Sequence, residues 1–288
     1  MPELPEVETV KRGLNKLIIN QRVKGVLHNW PKCFPNSEAD VAKFLIGTKI
    51  TDVRRRAKVL MIDLDSEYSL VIHLKMTGQM VFVGEQRFAA GHPNDSFINE
   101  LPDPSTRVEI TFTSGDKLFF NDQRKFGWMR LLPTIEVPNI PFFLKVGPEA
   151  LSDEFTSKEF IPRVRRRANT SIKAAILDQT VLAGVGNIYA DESLFAARVH
   201  PARKVKDLTD FELEKLLQEI KFVMNLSIDK GGSSDRNYVN AEGGRGSYLS
   251  FAKVFRKEGK PCEVCGSDIE KIRVATRGTH ICPTCQKI

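Results

Sequence analysis

Four cysteines near the end of the sequence have the spacing of a metal site. They follow the pattern C-x2-C-x16-C-x2-C and are Cys262, Cys265, Cys282 and Cys285. Each C-x2-C pair can point two thiolates at one ion, and two pairs complete the tetrahedral shell that Zn²⁺ prefers. Four sulfur ligands leave no open position for a substrate. The pattern therefore predicts one structural Zn²⁺, with His280 as a strand residue and not a ligand.

The segment between the two cysteine pairs has the pattern of a short β-hairpin. Ile272, Val274 and Thr276 recur at every second position, and Arg277-Gly278 has the composition of a turn. So small a hairpin cannot bury a core, and we expect the metal to supply its folding energy. Arg277 at the tip suits a phosphate contact, and a solvated surface arginine is the alternative.

The composition is that of a globular protein with a modest basic excess. The 288 residues include 43 Lys and Arg against 36 Asp and Glu, a formal net charge of +7, and 41% are hydrophobic. No stretch approaches the roughly 18 apolar residues of a membrane span. The acidic N-terminal segment lacks the apolar core of a secretory signal, so we expect a reducing cytoplasm, where disulfides are rare. Residues 236–288 carry ten Lys and Arg and five Asp and Glu, which favours an anionic partner for this tail.

Short strands dominate the first part of the chain, and helices dominate the second. Apolar runs between turn residues predict strands over 59–64, 68–74, 107–112 and 117–120. Helical periodicity predicts helices over 7–17, 157–164, 171–179, 188–197 and 209–229. Thr209, with Glu212 three residues on, has the pattern of a helix cap. Residues 84–105 are predicted to form a long loop, and the four prolines from Pro133 to Pro148 indicate a linker.

Three segments, in chain order, resemble the bacterial formamidopyrimidine-DNA glycosylase family. They are the N-terminal Met-Pro-Glu-Leu-Pro-Glu-Val-Glu-Thr-Val, the central Leu177-Asp-Gln-Thr-Val-Leu-Ala-Gly-Val-Gly-Asn-Ile-Tyr-Ala-Asp-Glu192 and the final Arg277-Gly-Thr-His-Ile-Cys-Pro-Thr-Cys-Gln286. Leu4 agrees with this family, whereas the sister endonuclease VIII enzymes usually open with Met-Pro-Glu-Gly-Pro-Glu. Residues 231–243 look like the family's lesion-recognition loop. Enzymes of the family remove oxidised purines from DNA and cleave the strand at the abasic site.

The resemblance implies an α+β multidomain fold, with an N-terminal β-sandwich, a leading helix, and a C-terminal helix–two-turns–helix domain with a zinc β-hairpin. The expected boundaries are 1–133 for the catalytic β-sandwich domain, 134–150 for the linker, 151–235 for the helix–two-turns–helix domain, and 236–288 for the recognition loop and C4 zinc finger. The implied partner is double-stranded DNA that contains oxidised bases or abasic sites. We expect a monomer with no membrane contact, in the bacterial cytoplasm and associated with the nucleoid through DNA.

The resemblance places catalysis at the start of the chain. Once Met1 is removed, the secondary amine of Pro2 can attack the sugar C1′ and form an iminium, and α-amino groups titrate at about 8. Glu3 would transfer protons at the sugar ring, with Glu6 as a supporting carboxylate. For Glu6 and Glu8 the alternative is a solvated helix N-terminus, where acidic residues suit the helix dipole.

The resemblance also implies a catalytic lysine, Lys58, on a β-hairpin beside the phosphate next to the lesion. The local sequence is Arg55-Arg-Ala-Lys-Val-Leu, where the family usually has Arg-Arg-Gly-Lys-Tyr-Leu. The departures at Ala57 and Val59 concern the shape of this hairpin.

Six residues are implied as DNA contacts, and they are Met76, Arg124, Phe126, Lys173, Asn187 and Arg277. The first three would fill the hole left by an everted nucleotide, although Met76 and Phe126 on their own would be interpreted as core residues. Gln123 replaces the proline of the family's Asp-Pro-Arg-Arg-Phe-Gly. The last three would bind phosphate, Asn187 through the start of a helix.

The resemblance thus implies a glycosylase and abasic-site lyase that excises 8-oxoguanine and formamidopyrimidines through a proline iminium and β,δ-elimination. An endonuclease VIII-like enzyme for oxidised pyrimidines is the nearest alternative. A zinc-containing DNA-binding protein without catalysis is the other, but Pro2, Glu3 and Lys58 are all retained.

Overall fold

The structure, a computed structural model, describes residues 2–232 and 248–288. It divides into two compact units, one of residues 1–144 and 230–247 and one of residues 145–229 and 248–288. The boundaries expected from sequence follow chain order. They could not show that the chain returns to the first unit at Lys230, because that return depends on contacts between distant residues.

The first unit is a β-sandwich of two antiparallel sheets. The first sheet has the strand order β1-β7-β8-β5-β6, and the second has the order β2-β3-β4-β9. The strands are β1 (Val23–His28), β2 (Ile50–Arg56), β3 (Val59–Leu64), β4 (Tyr68–His73), β5 (Gly78–Val83), β6 (Arg87–Gly91), β7 (Thr106–Phe112), β8 (Lys117–Asp122) and β9 (Trp128–Pro133). The unit's helices are α1 (Leu4–Ile18) and α2 (Glu38–Phe44), and α3 (Pro141–Lys145) lies at its boundary.

The core of the sandwich is formed by the apolar runs of both sheets together with one face of α1. The helix buries Val7, Val10, Leu14 and Ile18 in this core, with Leu17 partly buried against it, and the helix predicted over 7–17 is confirmed. Gly13 permits close packing, because a Cβ at this position would lie 2.1 Å from the ring of Phe88 on β6. The start of α1 is therefore held at a fixed place on the sandwich.

Two predicted irregular segments contain regular structure. Residues 84–105 include β6, which pairs with β5, and a 3₁₀ turn at Asp95–Phe97. The long-loop prediction is wrong because the buried rings of Phe88 and Phe97 anchor this segment in the core. The predicted linker contains a 3₁₀ helix, Thr134–Asn139, and α3.

The second unit is helical and ends in the zinc hairpin. Its elements are α4 (Ser157–Arg165), α5 (Ile172–Leu177), α6 (Asn187–Ala196), α7 (Asp210–Asp229), β10 (Glu270–Val274) and β11 (Arg277–Ile281). The cap predicted before α7 is confirmed, since Glu212 N–H donates to Thr209 Oγ1 at 3.2 Å and Thr209 N–H donates to the Glu212 carboxylate at 2.8 Å. None of the helices in the described ranges is long and apolar enough to cross a membrane.

The hairpin turn lies two residues before its predicted position. Ala275 and Thr276 form it, with φ values of 49° and 63°, while Arg277 pairs with Val274 and Gly278 pairs with Arg273. Two successive positive φ values are typical of the type I′ turn that joins two-residue hairpins. Type I′ turns usually contain Asn-Gly. The turn predicted at Arg277-Gly278 is wrong because Ala275-Thr276, which forms the turn, does not have a sequence typical of turns.

Candidate functional site

Two buried carboxylates lie beside Pro2 at the start of α1. The helix begins at Leu4, so Glu3 is its N-cap residue, and the backbone N–H of Glu3 donates to Glu6 Oε2 at 2.7 Å. Pro2 is buried, and Glu3 and Glu6 are only 3% and 4% exposed. Such burial excludes the solvated alternative for Glu6. Pro2 and two buried carboxylates, which are potential proton carriers, therefore lie together at the start of α1.

Glu8 is also buried, contrary to the solvated alternative. Its Oε2 accepts from Arg55 Nε on β2 at 2.9 Å, and its Oε1 accepts from Arg12 Nε at 3.1 Å. Burial alone would raise the pKa of Glu8, but the hydrogen bond and charge of Arg55, with Lys11 and Arg12, outweigh burial and lower it. The carboxylate is therefore ionised at neutral pH and joins α1 to the second sheet.

Lys58 lies on the two-residue turn between β2 and β3. Arg56 pairs with Val59 across the hairpin, which leaves Ala57 and Lys58 as the turn residues. Ala57 has a φ of 53°, the left-handed region that glycine adopts without a steric penalty. The hairpin expected at Lys58 thus forms with alanine in the family's usual glycine position, and Lys58 is largely buried.

His73 is a neighbour of Lys58 that sequence reasoning missed. It ends β4 and pairs with Val59 of the same hairpin. Burial, together with the positive charges of Lys75 and Lys58, lowers the pKa of His73 to about 3. Its Nδ1 accepts the backbone N–H of Lys75 at 3.1 Å. The imidazole is therefore neutral, and its proton resides on Nε2.

Asp122 connects the two turns that carry the predicted void-filling residues. One turn, between β4 and β5, holds Met76, and the other, between β8 and β9, holds Arg124 and Phe126. The buried Asp122 carboxylate accepts from the hydroxyl of Thr77 and from the backbone N–H of Arg124 on Oδ1, and from Gly127 N–H at 2.7 Å on Oδ2. One side chain thus orders both turns.

Met76 and Phe126 are exposed and do not belong to the core. Met76 is 37% exposed and Phe126 is 53% exposed, although both are apolar. The Arg124 guanidinium lies over the Phe126 ring, 4.9 Å from its centroid. Lys125, in the left-handed region, places its ammonium 4.3 Å from the ring centroid of Trp30. The two turns therefore expose apolar and cationic side chains. These are the kinds of side chain that a protein needs to insert between stacked bases.

In the second unit, Asn187 begins α6 at the end of the glycine-containing segment Gly184–Asn187. Gly184 has a φ of 102°, a conformation that favours glycine. The Asn187 side chain donates to Gly278 O of the zinc hairpin at 3.0 Å. A helix start is a favourable place for an anion, and this one is thereby tied to the strand that begins with Arg277, whose side chain is exposed.

Lys173 has no exposed surface, which does not fit the predicted direct phosphate contact. Its Nζ lies 2.6 Å from Asp191 Oδ1, 2.7 Å from Thr279 Oγ1 and 3.2 Å from Gly278 O. A lysine so enclosed cannot reach a ligand in this conformation. Its position instead fixes the backbone next to Arg277.

Two adjacent carboxylates of α6 anchor the C-terminal segment, and sequence reasoning gave them no role of their own. Asp191 Oδ2 accepts the backbone N–H of His280 at 2.9 Å. Glu192 accepts the backbone N–H groups of residues 253–255 at 2.7–2.9 Å. Two adjacent acidic residues on a helix whose other residues are mostly apolar were the available signal, because buried carboxylates require partners.

The four cysteines converge as predicted. Their Sγ atoms all lie within 4.8 Å of one another. Backbone N–H groups of Val264 and Cys285 point at the Sγ atoms of Cys262 and Cys282, at 3.5 and 3.4 Å. Four thiolates so close together fit the tetrahedral coordination of one Zn²⁺. The site is structural, because four sulfur ligands leave no coordination position for a substrate. His280 takes no part, because its Nδ1 faces Asp191 at 3.2 Å.

The predicted lesion-recognition loop, residues 231–243, lies mostly outside the described residues. Its first two glycines are described, and Gly232 has a φ of 88°. A Cβ at Gly232 would lie 3.5 Å from Glu6 Cγ. Gly232 therefore lies beside the side chains of Glu6 and Thr9 on α1.

Comparison with known proteins agrees with this arrangement. The formamidopyrimidine-DNA glycosylase N-terminal domain matches residues 1–129, the H2TH domain of the same glycosylase matches residues 146–238, and the zinc finger found in FPG and IleRS matches residues 259–288. The order of the three matches defines a zinc-containing DNA glycosylase of the helix–two-turns–helix class. The chain belongs to the formamidopyrimidine-DNA glycosylase family.

Individual relatives match over the whole chain. Formamidopyrimidine-DNA glycosylases of Herpetosiphon aurantiacus and Desulfitobacterium hafniense are 41% and 38% identical, each over 99% of this chain and 100% of the relative. A crystal structure of a Lactococcus lactis FPG mutant with a Fapy-dG containing DNA has a TM-score of 0.87 at 33% identity, with both chains fully covered. MutM (FPG) of Thermus thermophilus has a TM-score of 0.83 at 37% identity, over 99% of this chain and 98% of that one.

Proposed function

We propose that this protein excises oxidised purines, 8-oxoguanine and formamidopyrimidines, from duplex DNA and then cleaves the strand at the abasic site. The observation that carries the proposal is the buried group formed by Pro2, Glu3 and Glu6 at the start of α1, in a chain of this glycosylase family. Relatives support the substrate class, since one solved complex contains Fapy-dG DNA and another contains carbocyclic 8-oxo-G DNA.

The first chemical step requires a free secondary amine. With Met1 removed, the Pro2 nitrogen attacks C1′ of the damaged nucleotide, the bond from C1′ to the base breaks, and the base takes up the proton that the Pro2 nitrogen loses. Glu3 then protonates the ring oxygen O4′ as the C1′–O4′ bond breaks, which opens the sugar and leaves an iminium between Pro2 and C1′. Glu6 accepts the Glu3 backbone N–H through its Oε2 and so fixes the backbone at Glu3, next to Pro2.

Strand cleavage follows from the acidity that the iminium gives to C2′. Removal of a C2′ proton expels the 3′ phosphate by β-elimination, and a second elimination expels the 5′ phosphate. Hydrolysis of the iminium then regenerates Pro2. Lys58 supplies a positive charge beside a phosphate, and the neutral His73 next to it adds none.

The remaining residues serve DNA binding. Met76, Arg124 and Phe126 fill the space of the everted nucleotide, and Arg124 can hydrogen-bond the orphaned base. Asn187 and Arg277 bind phosphate from the second unit, and Lys173 supports Arg277 from within the protein. One Zn²⁺ on the four cysteines stabilises the hairpin that carries Arg277.

Borohydride trapping on abasic duplex DNA tests the proposal. Mature zinc-loaded protein, with an N-terminal proline verified by intact mass, is expected to form a reduced covalent complex. Protein that retains Met1 is expected to trap much less, because its Pro2 nitrogen is then part of an amide and cannot form an iminium. Equal trapping by the two proteins would refute a nucleophilic Pro2. Excision from 8-oxoguanine duplexes in preference to thymine-glycol duplexes separates the proposal from an endonuclease VIII-like activity.

A further inference from the structure

Glu8 and Arg55 connect two parts of the first unit that are distant in sequence. Glu8 lies in the second turn of α1, the helix that begins beside Glu3, and Arg55 lies near the end of β2. Arg55 Nε donates to Glu8 Oε2 at 2.9 Å, and the two side chains are only 10% and 11% exposed. A pair so enclosed has little freedom to rearrange.

The Arg55 guanidinium makes a second contact that reaches the Lys58 turn. Arg55 Nη1 donates to the carbonyl oxygen of Ala57 at 2.9 Å. Ala57 has a φ of 53°, and an alanine in the left-handed region persists where the surroundings over-determine it. The planar guanidinium can serve both acceptors in one orientation, because its N–H groups form a rigid fork.

We propose that Glu8 and Arg55 are positioning residues for Lys58, which fix the Ala57–Lys58 turn relative to the start of α1. The proposal rests on the proposed function in one respect, that Lys58 acts on the same nucleotide as Pro2. Misplacement of a catalytic group by about 1 Å can lower a rate by about two orders of magnitude. Loss of the contact therefore reduces catalysis more than DNA binding.

Arg12 offers a matched control for this contact. Its Nε lies 3.1 Å from the other oxygen of the Glu8 carboxylate, and its side chain is 57% exposed. It belongs to α1, four residues after Glu8, and so its pairing with Glu8 stays within the helix. Arg12→Ala removes a charge partner of Glu8 and leaves the bridge from Glu8 through Arg55 to the Ala57 carbonyl in place.

Arg55→Lys separates positioning from general stability. A lysine keeps the charge opposite Glu8, but its single ammonium does not reproduce the fork that binds Glu8 and the Ala57 carbonyl together. The variant is expected to keep the thermal unfolding midpoint near that of the parent protein. Glu8→Ala removes the carboxylate and serves as the second, more disruptive variant.

The experiment combines a structural readout with a kinetic one, on mature zinc-loaded protein. Backbone amide resonances of Ala57 and Lys58 report the turn whether or not the protein excises bases. Single-turnover excision and the Kd for a duplex with a tetrahydrofuran abasic analogue then report catalysis and binding. For Arg55→Lys and Glu8→Ala we expect displaced or broadened turn resonances, a rate lowered about 10-fold or more, and a Kd changed less than about 3-fold.

The outcomes separate this proposal from the proposed function. Unchanged Ala57 and Lys58 resonances in folded Arg55→Lys and Glu8→Ala overturn the positioning role, and so does an unchanged excision rate in variants of an active parent. Equal effects in Arg12→Ala also overturn it, because a general change of charge around Glu8 would then be the cause. Absence of excision by the parent protein refutes the proposed function, and the resonances still decide whether the pair orders the turn.

Discussion

Lys173 and Asp191 form an ion pair that solvent does not reach. The Lys173 ammonium lies 2.6 Å from Asp191 Oδ1, and neither side chain has exposed surface. The other Asp191 oxygen accepts the backbone N–H of His280 on β11 at 2.9 Å. The pair thus fastens α5 and α6 to the zinc hairpin. Breaking a buried pair is costly, since the remaining charge stays in the interior without its partner.

Lys173→Met is therefore expected to destabilise the second unit by about 3–5 kcal/mol. The checks are the midpoint of thermal unfolding and the amount of zinc retained after dialysis. Lys253→Met breaks the exposed Lys253–Glu263 pair and should cost no more than about 1 kcal/mol. If Lys173→Met leaves the unfolding midpoint unchanged but weakens DNA binding, the prediction that Lys173 contacts phosphate directly would be supported.

Asp122→Ala should disorder both void-filling turns without unfolding the sandwich. The substitution leaves the N–H of Gly127 and the hydroxyl of Thr77 without their shared acceptor, at a cost of about 1–3 kcal/mol. We expect slower excision of 8-oxoguanine and weaker discrimination of the opposite base, while trapping on a preformed abasic site falls less. Equal losses on both substrates would show that Asp122 acts elsewhere in the reaction.

Local sequence patterns were sufficient to predict the structure of segments whose stabilising residues lie close together in the sequence. The zinc cysteines depend on two short spacings, α1 on an apolar stripe, and the cap of α7 on residues three apart. These features were predicted because the interacting residues are near neighbours in sequence. The roles of Pro2 and Glu3 came instead from the family resemblance, and only their position at the start of a helix is a local feature.

The positions of Lys173, Glu8 and Asp122 could not be predicted in this way. Each depends on partners from distant segments, as when Thr279 and Asp191 enclose Lys173. Sequence periodicity predicts which face of a helix is buried. It does not predict which charged side chain from a distant strand or hairpin will pair with a residue on that face. The hairpin turn was predicted at Arg277-Gly278 but lies at Ala275-Thr276 for a different reason, because these left-handed residues are not of the usual types.

His73 is expected to remain neutral well below the ordinary histidine pKa. Its folded-state pKa of about 3 lies below the ordinary value of 6.5, so the unfolded chain binds more protons as the pH falls below 6.5. Stability from this group is therefore complete above pH 6.5 and declines toward pH 3, by at most about 1.4 kcal/mol per pH unit.

Imidazole NMR resonances give the direct measurement for His73. They should not titrate between about pH 8 and pH 5, a range that includes the ordinary histidine pKa, with His73→Gln used for assignment. A midpoint near the ordinary value would contradict the burial of this ring beside Lys58 and Lys75. The same variant should also show a shallower loss of stability in acid than the parent protein.

Replacing Ala275-Thr276 with Asn-Gly should stabilise the zinc hairpin. Both residues have positive φ, and Thr276 is β-branched, so each carries a steric penalty that Asn and Gly largely avoid. We expect a gain of about 1 kcal/mol, seen as slower zinc loss to a competing chelator. Unchanged release rates would mean that the turn opens independently of the metal site.

Arg277→Ala should weaken binding to every duplex sequence by a similar factor, since a phosphate contact carries no base information. Each phosphate neutralised contributes about 0.9 to the slope of log K against log salt, and so the variant's slope should be shallower by about that amount. Arg273→Ala is the matched control, because Arg273 is exposed on the opposite strand, across from Gly278. Titrations of Kd over a range of salt concentrations provide the measurement. If the two variants keep the parent's slope, Arg277 does not neutralise a phosphate, and the buried Lys173–Asp191 pair beneath it serves stability alone.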